Sequence, residues 1–158
     1  MLTHVSFLCT CTCTGSGKTT LVQKLLNERM KNSKVPCYYW SLKNDGIRTD
    51  FGVMFSELFG IKEAMAKGFL ANGSVSEHTI NRLLWKLKEE TGVPAVLVVD
   101  DAQRLLLSEQ GEGLALFLQE CYREELLTTI FIGSEGSILT KFRSCKLTNE
   151  PDWYVVYS

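Results

Sequence analysis

Near the start of the chain, Gly15-Ser16-Gly17-Lys18-Thr19-Thr20 combines a flexible backbone with a cation and several hydroxyls. Glycines let successive backbone N–H groups curl inward toward one anion. A helix starting at about Lys18 adds the positive end of its dipole to the same place. Lys18 brings a mobile point charge suited to phosphate oxygens, and the Thr19 hydroxyl is a hard ligand suited to Mg2+. The chemistry expected of Cys13, Thr14, Gly15, Ser16, Gly17, Lys18, Thr19 and Thr20 is therefore the cradling of a polyphosphate and its cation. A second group, Asp100-Asp101, closes the apolar run Val96-Leu97-Val98-Val99. A buried strand there delivers Asp100 to its carboxyl end, the edge at which open α/β sheets hold ligands. Asp100 is the candidate second metal-site residue, with Asp101 beside it.

These groups need strands that end near one another and a helix that begins between them. The sequence alternates strand and helix signals, which predicts an α/β domain with a mostly parallel sheet. Strands are expected over 3–11, 37–42, 95–99, 128–132 and 153–157. The first helix is expected over 18–30, with Leu21, Leu25, Leu26 and Met30 on one face. Shorter helices are expected around 51–59 and 63–70. A well-patterned helix capped by Ser76 carries Ile80, Leu83, Leu84 and Leu87. Another over 112–125 turns Leu114, Phe117, Leu118 and Cys121 inward, and Ile138, Leu139 and Phe142 suggest one more short helix. Ala95–Val99, five small or branched apolar residues in succession, has the composition of a central strand buried on both faces.

Composition narrows the function classes. The chain has 158 residues, 45% hydrophobic and 22% charged, with net charge −1. One globular domain spanning 1–158 is expected. The balanced charge gives no global basic field, and no basic stripe is interleaved with aromatics; nucleic acid stays open as a partner, but no sequence feature demands it. Arg82, Lys86 and Lys88 suit the wet face of a helix. No apolar run approaches the length of a membrane span, and no secretory signal pattern opens the chain, so an intracellular protein, cytoplasmic or nuclear, without membrane contact is expected. Of the six cysteines, Cys9, Cys11 and Cys13 fall at alternate positions, too close for ordinary bridges among themselves, and suit buried thiols in a reducing compartment.

The glycine-lysine-threonine loop resembles the Walker A motif of P-loop NTPases, with Thr12 where the pattern GxxxxGK[ST] has its first glycine. The apolar strand ending in Asp100-Asp101 resembles Walker B, with aspartate at the second acidic position where many ATPases carry the longer glutamate. Both motifs, with a strand between and another after, resemble the additional-strand ATPases of AAA+ and STAND type. That resemblance implies a three-layer α/β/α P-loop NTPase core with a five-stranded sheet in the order 5-1-4-3-2, and ATP and Mg2+ as cofactors. It implies Thr19 and Asp100 at the metal, and Lys18 and Asp101 in catalysis. It also implies Ser134 as a polar sensor after the fourth strand, Arg143 as an arginine finger, and Ser41 or Asn44 as a polar switch contacting Asp101. An adenine-packing segment and a helical lid are expected either to come from elsewhere, through a homo-oligomer or a partner domain, or to be missing.

The expected function is ATP binding with Mg-dependent hydrolysis. Two alternatives stay open: a nucleotide-binding or interaction module without turnover, to which Thr12 and Asp101 point, and a small-molecule or nucleotide kinase sharing the phosphate loop. A GTPase is disfavoured, because Lys43-Asn44-Asp45 does not have the order of a guanine-reading NKxD motif.

Overall fold

The computed structural model describes residues 7–11, 17–32, 35–43, 51–66, 76–107, 109–133 and 153–157. Within them five strands, β1 (Phe7–Cys11), β2 (Cys37–Ser41), β3 (Ala95–Asp100), β4 (Leu127–Gly133) and β5 (Trp153–Tyr157), form one sheet. All four pairings are parallel, in the order β2-β3-β4-β1-β5. The helices are α1 (Lys18–Asn32), α2 (Phe51–Leu58), α3 (Ile61–Ala66), α4 (Glu77–Thr91) and α5 (Glu109–Arg123). The α/β reading with a parallel sheet therefore holds. The short helix expected around Ile138–Phe142 lies outside the described residues.

The two faces of the sheet are built differently. Trp40, Leu42, Ala95, Leu97, Val99, Leu127 and Phe131 point to one side, where they share a core with Phe55, Ile61, Leu84, Leu114 and Leu118 of α2 to α5. Phe55 anchors this core, stacking on Phe59 at 5.2 Å and meeting Phe117 edge-on at 5.8 Å. The α4 residues Ile80, Leu83 and Leu84 and the α5 residues Leu114, Phe117, Leu118 and Cys121 are buried as their spacing predicts. The Cys121 thiol donates to Asn81 Oδ1 of α4 at 3.3 Å. Burial, with nearby Glu124 and Glu120, pushes that thiol up to about 12, so it stays protonated and unreactive. Ala95–Val99 meets its expectation of burial on both faces, with only Val96 partly open.

On the other face lies α1, and here the sequence reading needs correction. Leu21 and Leu25 are exposed, at 59% and 52%, while Val22 and Leu26 are half-buried. The rotation of the helix follows from two polar ties: Thr19 bonds Asp100 of β3, and Gln23 bonds Tyr39 of β2. Residues 19, 22, 23 and 26 form one stripe at helical spacing, so holding Thr19 and Gln23 against the sheet sends Leu21 and Leu25 outward.

A second difference is a 3-10 helix, Ala102–Leu107, between β3 and α5. Its Ala102 and Leu105 are fully buried, and α5 packs against it so closely that Gly111 has no room for a side chain. A Cβ built there would collide with the backbone oxygen of Leu105. Helix α5 ends with a bond from Leu126 N–H to the Cys121 carbonyl at 2.8 Å and one from Glu125 N–H to Tyr122 at 2.8 Å. This is a Schellman closure with Glu125 at the left-handed position, φ 55°.

Two stability predictions follow from these contacts. Gly111→Ala must push apart two backbone segments and is expected to cost about 3 kcal/mol, read as a lower denaturation midpoint at an unchanged slope. Glu125→Gly removes side-chain strain at a left-handed residue. It loses only the exposed Lys88–Glu125 pair at 3.3 Å, and is expected to raise stability by about 0.5–1 kcal/mol in the same assay.

Candidate functional site at the carboxyl edge of the sheet

The first half of the site is the turn into α1. Gly17 has φ 77°, and nothing lies within 4 Å of where its Cβ would be. Glycine is therefore demanded by backbone conformation and not by space. The carbonyl of Gly17 accepts from Leu21 N–H at 2.9 Å, closing the first helical turn over Lys18, Thr19 and Thr20. The helix thereby points its N-terminus toward the preceding loop. Cys13, Thr14, Gly15 and Ser16 lie outside the described residues, as do Thr12, Asn44, Ser134 and Arg143.

The second half is the end of β3. Asp100 is the last residue of the strand and is only 6% exposed. A buried carboxylate needs donors, and three reach it. Thr19 Oγ1 donates to Oδ2 at 2.7 Å, the Tyr39 hydroxyl donates to the same oxygen at 2.5 Å, and Asp101 N–H donates to Oδ1 at 2.9 Å. Thr19 and Asp100, two residues expected at one metal and 81 positions apart in the chain, are thus in direct contact. A hydroxyl and a carboxylate in contact are hard donors of the kind Mg2+ takes. Thr19 gives its proton to Asp100 and so keeps lone pairs on its oxygen for a cation.

Asp101 follows in a left-handed conformation, φ 55°, which aspartate tolerates better than most residues. The reversal carries its side chain out of the strand's alternation, to a half-buried position where Gln103 Nε2 approaches Oδ1 at 3.4 Å. Its carbonyl accepts from Arg104 N–H at 3.0 Å and starts the 3-10 helix.

Tyr39 was missed in the sequence. It is in register with Val98, two residues along β2 from Ser41, which sits opposite Asp100. Tyr39 and Ser41 therefore share the face of Asp100, and a phenol is long enough to cover the diagonal. Burial first, and then the hydrogen bond to Asp100, push the phenol upward from its ordinary range, so it remains a protonated donor. The signal available was a polar-tipped aromatic two residues before the strand end, on the same face as the acidic residue of the next strand.

Residues 3–142 match the family model described as an AAA domain. No curated protein sequence matches the chain. Among solved structures, the fold is similar to the Aeropyrum pernix ORC1 protein in complex with DNA, at 19% identity and TM-score 0.60, over 95% of this chain and 39% of that one. It is similar to Cdc6p from Pyrobaculum aerophilum, at 18% identity and TM-score 0.55, over 98% and 39% of the two chains. Drosophila ORC bound to GC-rich DNA and Cdc6 gives 11% identity and TM-score 0.61, over 96% and 49%. This chain thus spans between 39% and 49% of the length of these three. At such identities the likeness is one of fold. The family match covers the loop before α1, the acidic end of β3 and the strands between them, and with it the chain belongs to the AAA domain family.

Proposed function

We propose that the chain binds ATP with Mg2+ where α1 begins and β3 ends, and hydrolyses it to ADP and phosphate. The observation that carries this reading is the 2.7 Å bond between Thr19 and Asp100, which brings the hydroxyl and carboxylate of the two motifs together at the carboxyl edge of a parallel sheet. In this reading Cys13 to Thr20 surround the phosphates, Lys18 neutralises their charge, and Thr19 and Asp100 hold the cation. The cation, when bound, supplies charge neutralisation at the phosphate oxygens. Asp101 orients water on the side of the site that the left-handed turn opens. Ser134 as sensor and Arg143 as a finger acting on a neighbouring copy belong to the same proposal, as do a homo-oligomer or partner domain closing over the nucleotide and an intracellular location.

One observation favours a second reading, binding without turnover. Asp101 has a short side chain and already lies near the Gln103 amide. DNA is named in two of the similar structures, and for this chain it stands as a partner to be tested, by ATP-dependent retention of duplex. Among the described residues, no helix is long and apolar enough to cross a membrane.

Calorimetric titration with ATP and Mg2+, followed by phosphate release on the same sample, separates the two readings. Lys18→Ala is expected to weaken ATP binding about 100-fold, since a charge-assisted contact to phosphate is lost; unchanged affinity refutes the site. Asp101→Ala is expected to keep ATP affinity within about threefold while phosphate release falls about 100-fold. Absence of release in the wild type establishes the reading without turnover.

A further inference from the structure

The hydrogen bonds to Asp100 fill its two oxygens unequally. Each carboxylate oxygen has about two lone-pair directions. Oδ2 receives both the Thr19 and the Tyr39 hydroxyls, at 2.7 and 2.5 Å. Oδ1 receives Asp101 N–H at 2.9 Å, which leaves it one direction. We propose that Tyr39 is a positioning residue that withholds Oδ2 of Asp100 from a divalent cation and its water shell, leaving Oδ1 as the face that serves the metal. This inference rests on the reading of the site as a Mg-nucleotide site.

Three features make Tyr39 a fixed competitor and not a passing contact. Its strand is held to β3 by continuous register from Cys37 to Ser41. Just past the strand, Leu42 N–H donates to the Asp100 carbonyl at 3.1 Å, so β2 grips the same residue through its backbone. The Gln23 side chain of α1 also faces the phenol oxygen. The hydroxyl thus has its proton committed to Asp100 Oδ2.

The position also separates two roles that a donor to a carboxylate can play. If the phenol merely oriented Asp100, removing it would loosen the ligand and weaken metal binding. But Thr19 holds one oxygen and Asp101 N–H the other, so the orientation survives without Tyr39. What disappears is competition: one lone pair on Oδ2 is released, and the carboxylate keeps more of its charge for a cation. The same change leaves a buried carboxylate one donor short when no cation is present.

The test is Tyr39→Phe. Mg2+ is titrated calorimetrically into ADP-saturated wild type and variant, and the ligand-free proteins are melted in parallel. The inference expects Mg2+ to bind the variant about tenfold more tightly while the ligand-free variant melts at a lower temperature. A lower melting temperature with Mg2+ affinity unchanged or reduced overturns it, because that is the outcome of a purely structural hydroxyl. If the variant does not fold, Gln23→Ala takes its place. The exposed amide is removed, the phenol is held less firmly, and a smaller tightening of about threefold is expected; no tightening overturns the inference. If wild type binds ADP with a Mg2+ dependence that neither variant strengthens, the inference fails and the nucleotide site stands. If wild type binds no nucleotide, that site and the inference built on it both fall.

Discussion

A carboxylate with little access to water sits at the end of the inner strand β3, and the architecture around it follows from keeping that charge satisfied. Burying an ionised group without donors costs several kcal/mol, about the scale of a domain's whole stability. Asp100 takes its donors from three places: helix α1, the neighbouring strand β2, and the backbone of the next residue. Each donor constrains a larger element. Thr19 sets the rotation of α1, Tyr39 joins β2 to β3 by side chains as well as backbone, and the amide of Asp101 fixes the turn by which the chain leaves the sheet.

The sheet divides the labour between its two faces. One carries the aromatic and aliphatic core under α2 to α5, where contacts are non-directional and burial is nearly complete. The other carries α1 and the polar contacts that define the site. Failure of fit therefore means different things on the two sides. At Gly111 a methyl group would collide with backbone and strain the packing of α5 on the 3-10 helix. At Gly17 a methyl group would meet no atom, and only the left-handed backbone would object. The same residue type is required once for space and once for conformation.

What was legible in the sequence was whatever repeats or clusters along the chain. The apolar run of β3 showed as a strand buried on both faces, and the spacing of Ile80, Leu83 and Leu84, and of Leu114, Phe117 and Leu118, showed which sides of α4 and α5 face inward. The glycine-lysine-threonine segment and the paired aspartates stood out because each is a run of adjacent residues. The errors came where one side chain reaches across to another element. The leucines of α1 have helical spacing, but the helix is turned by Thr19 and Gln23, whose partners lie on other strands. Tyr39 looked like one more aromatic in Cys37-Tyr38-Tyr39-Trp40, since a diagonal contact across a sheet leaves no period to detect. The 3-10 helix Ala102–Leu107 was missed because six residues are too few to show a periodicity.

Among the described residues β2 pairs with β3 alone, so Tyr39 reaches Asp100 from the rim of that sheet. The site is therefore not complete when the central strands have come together. A chain in which β3, β4 and β1 are already aligned but β2 is still undocked has Asp100 lacking its phenol donor, and lacks the hydroxyl that anchors Gln23. Completion of the acidic end thus marks the closing of the sheet's outer seam. Whatever pulls at that rim, whether heat, denaturant or a docking partner, is felt directly at the carboxylate.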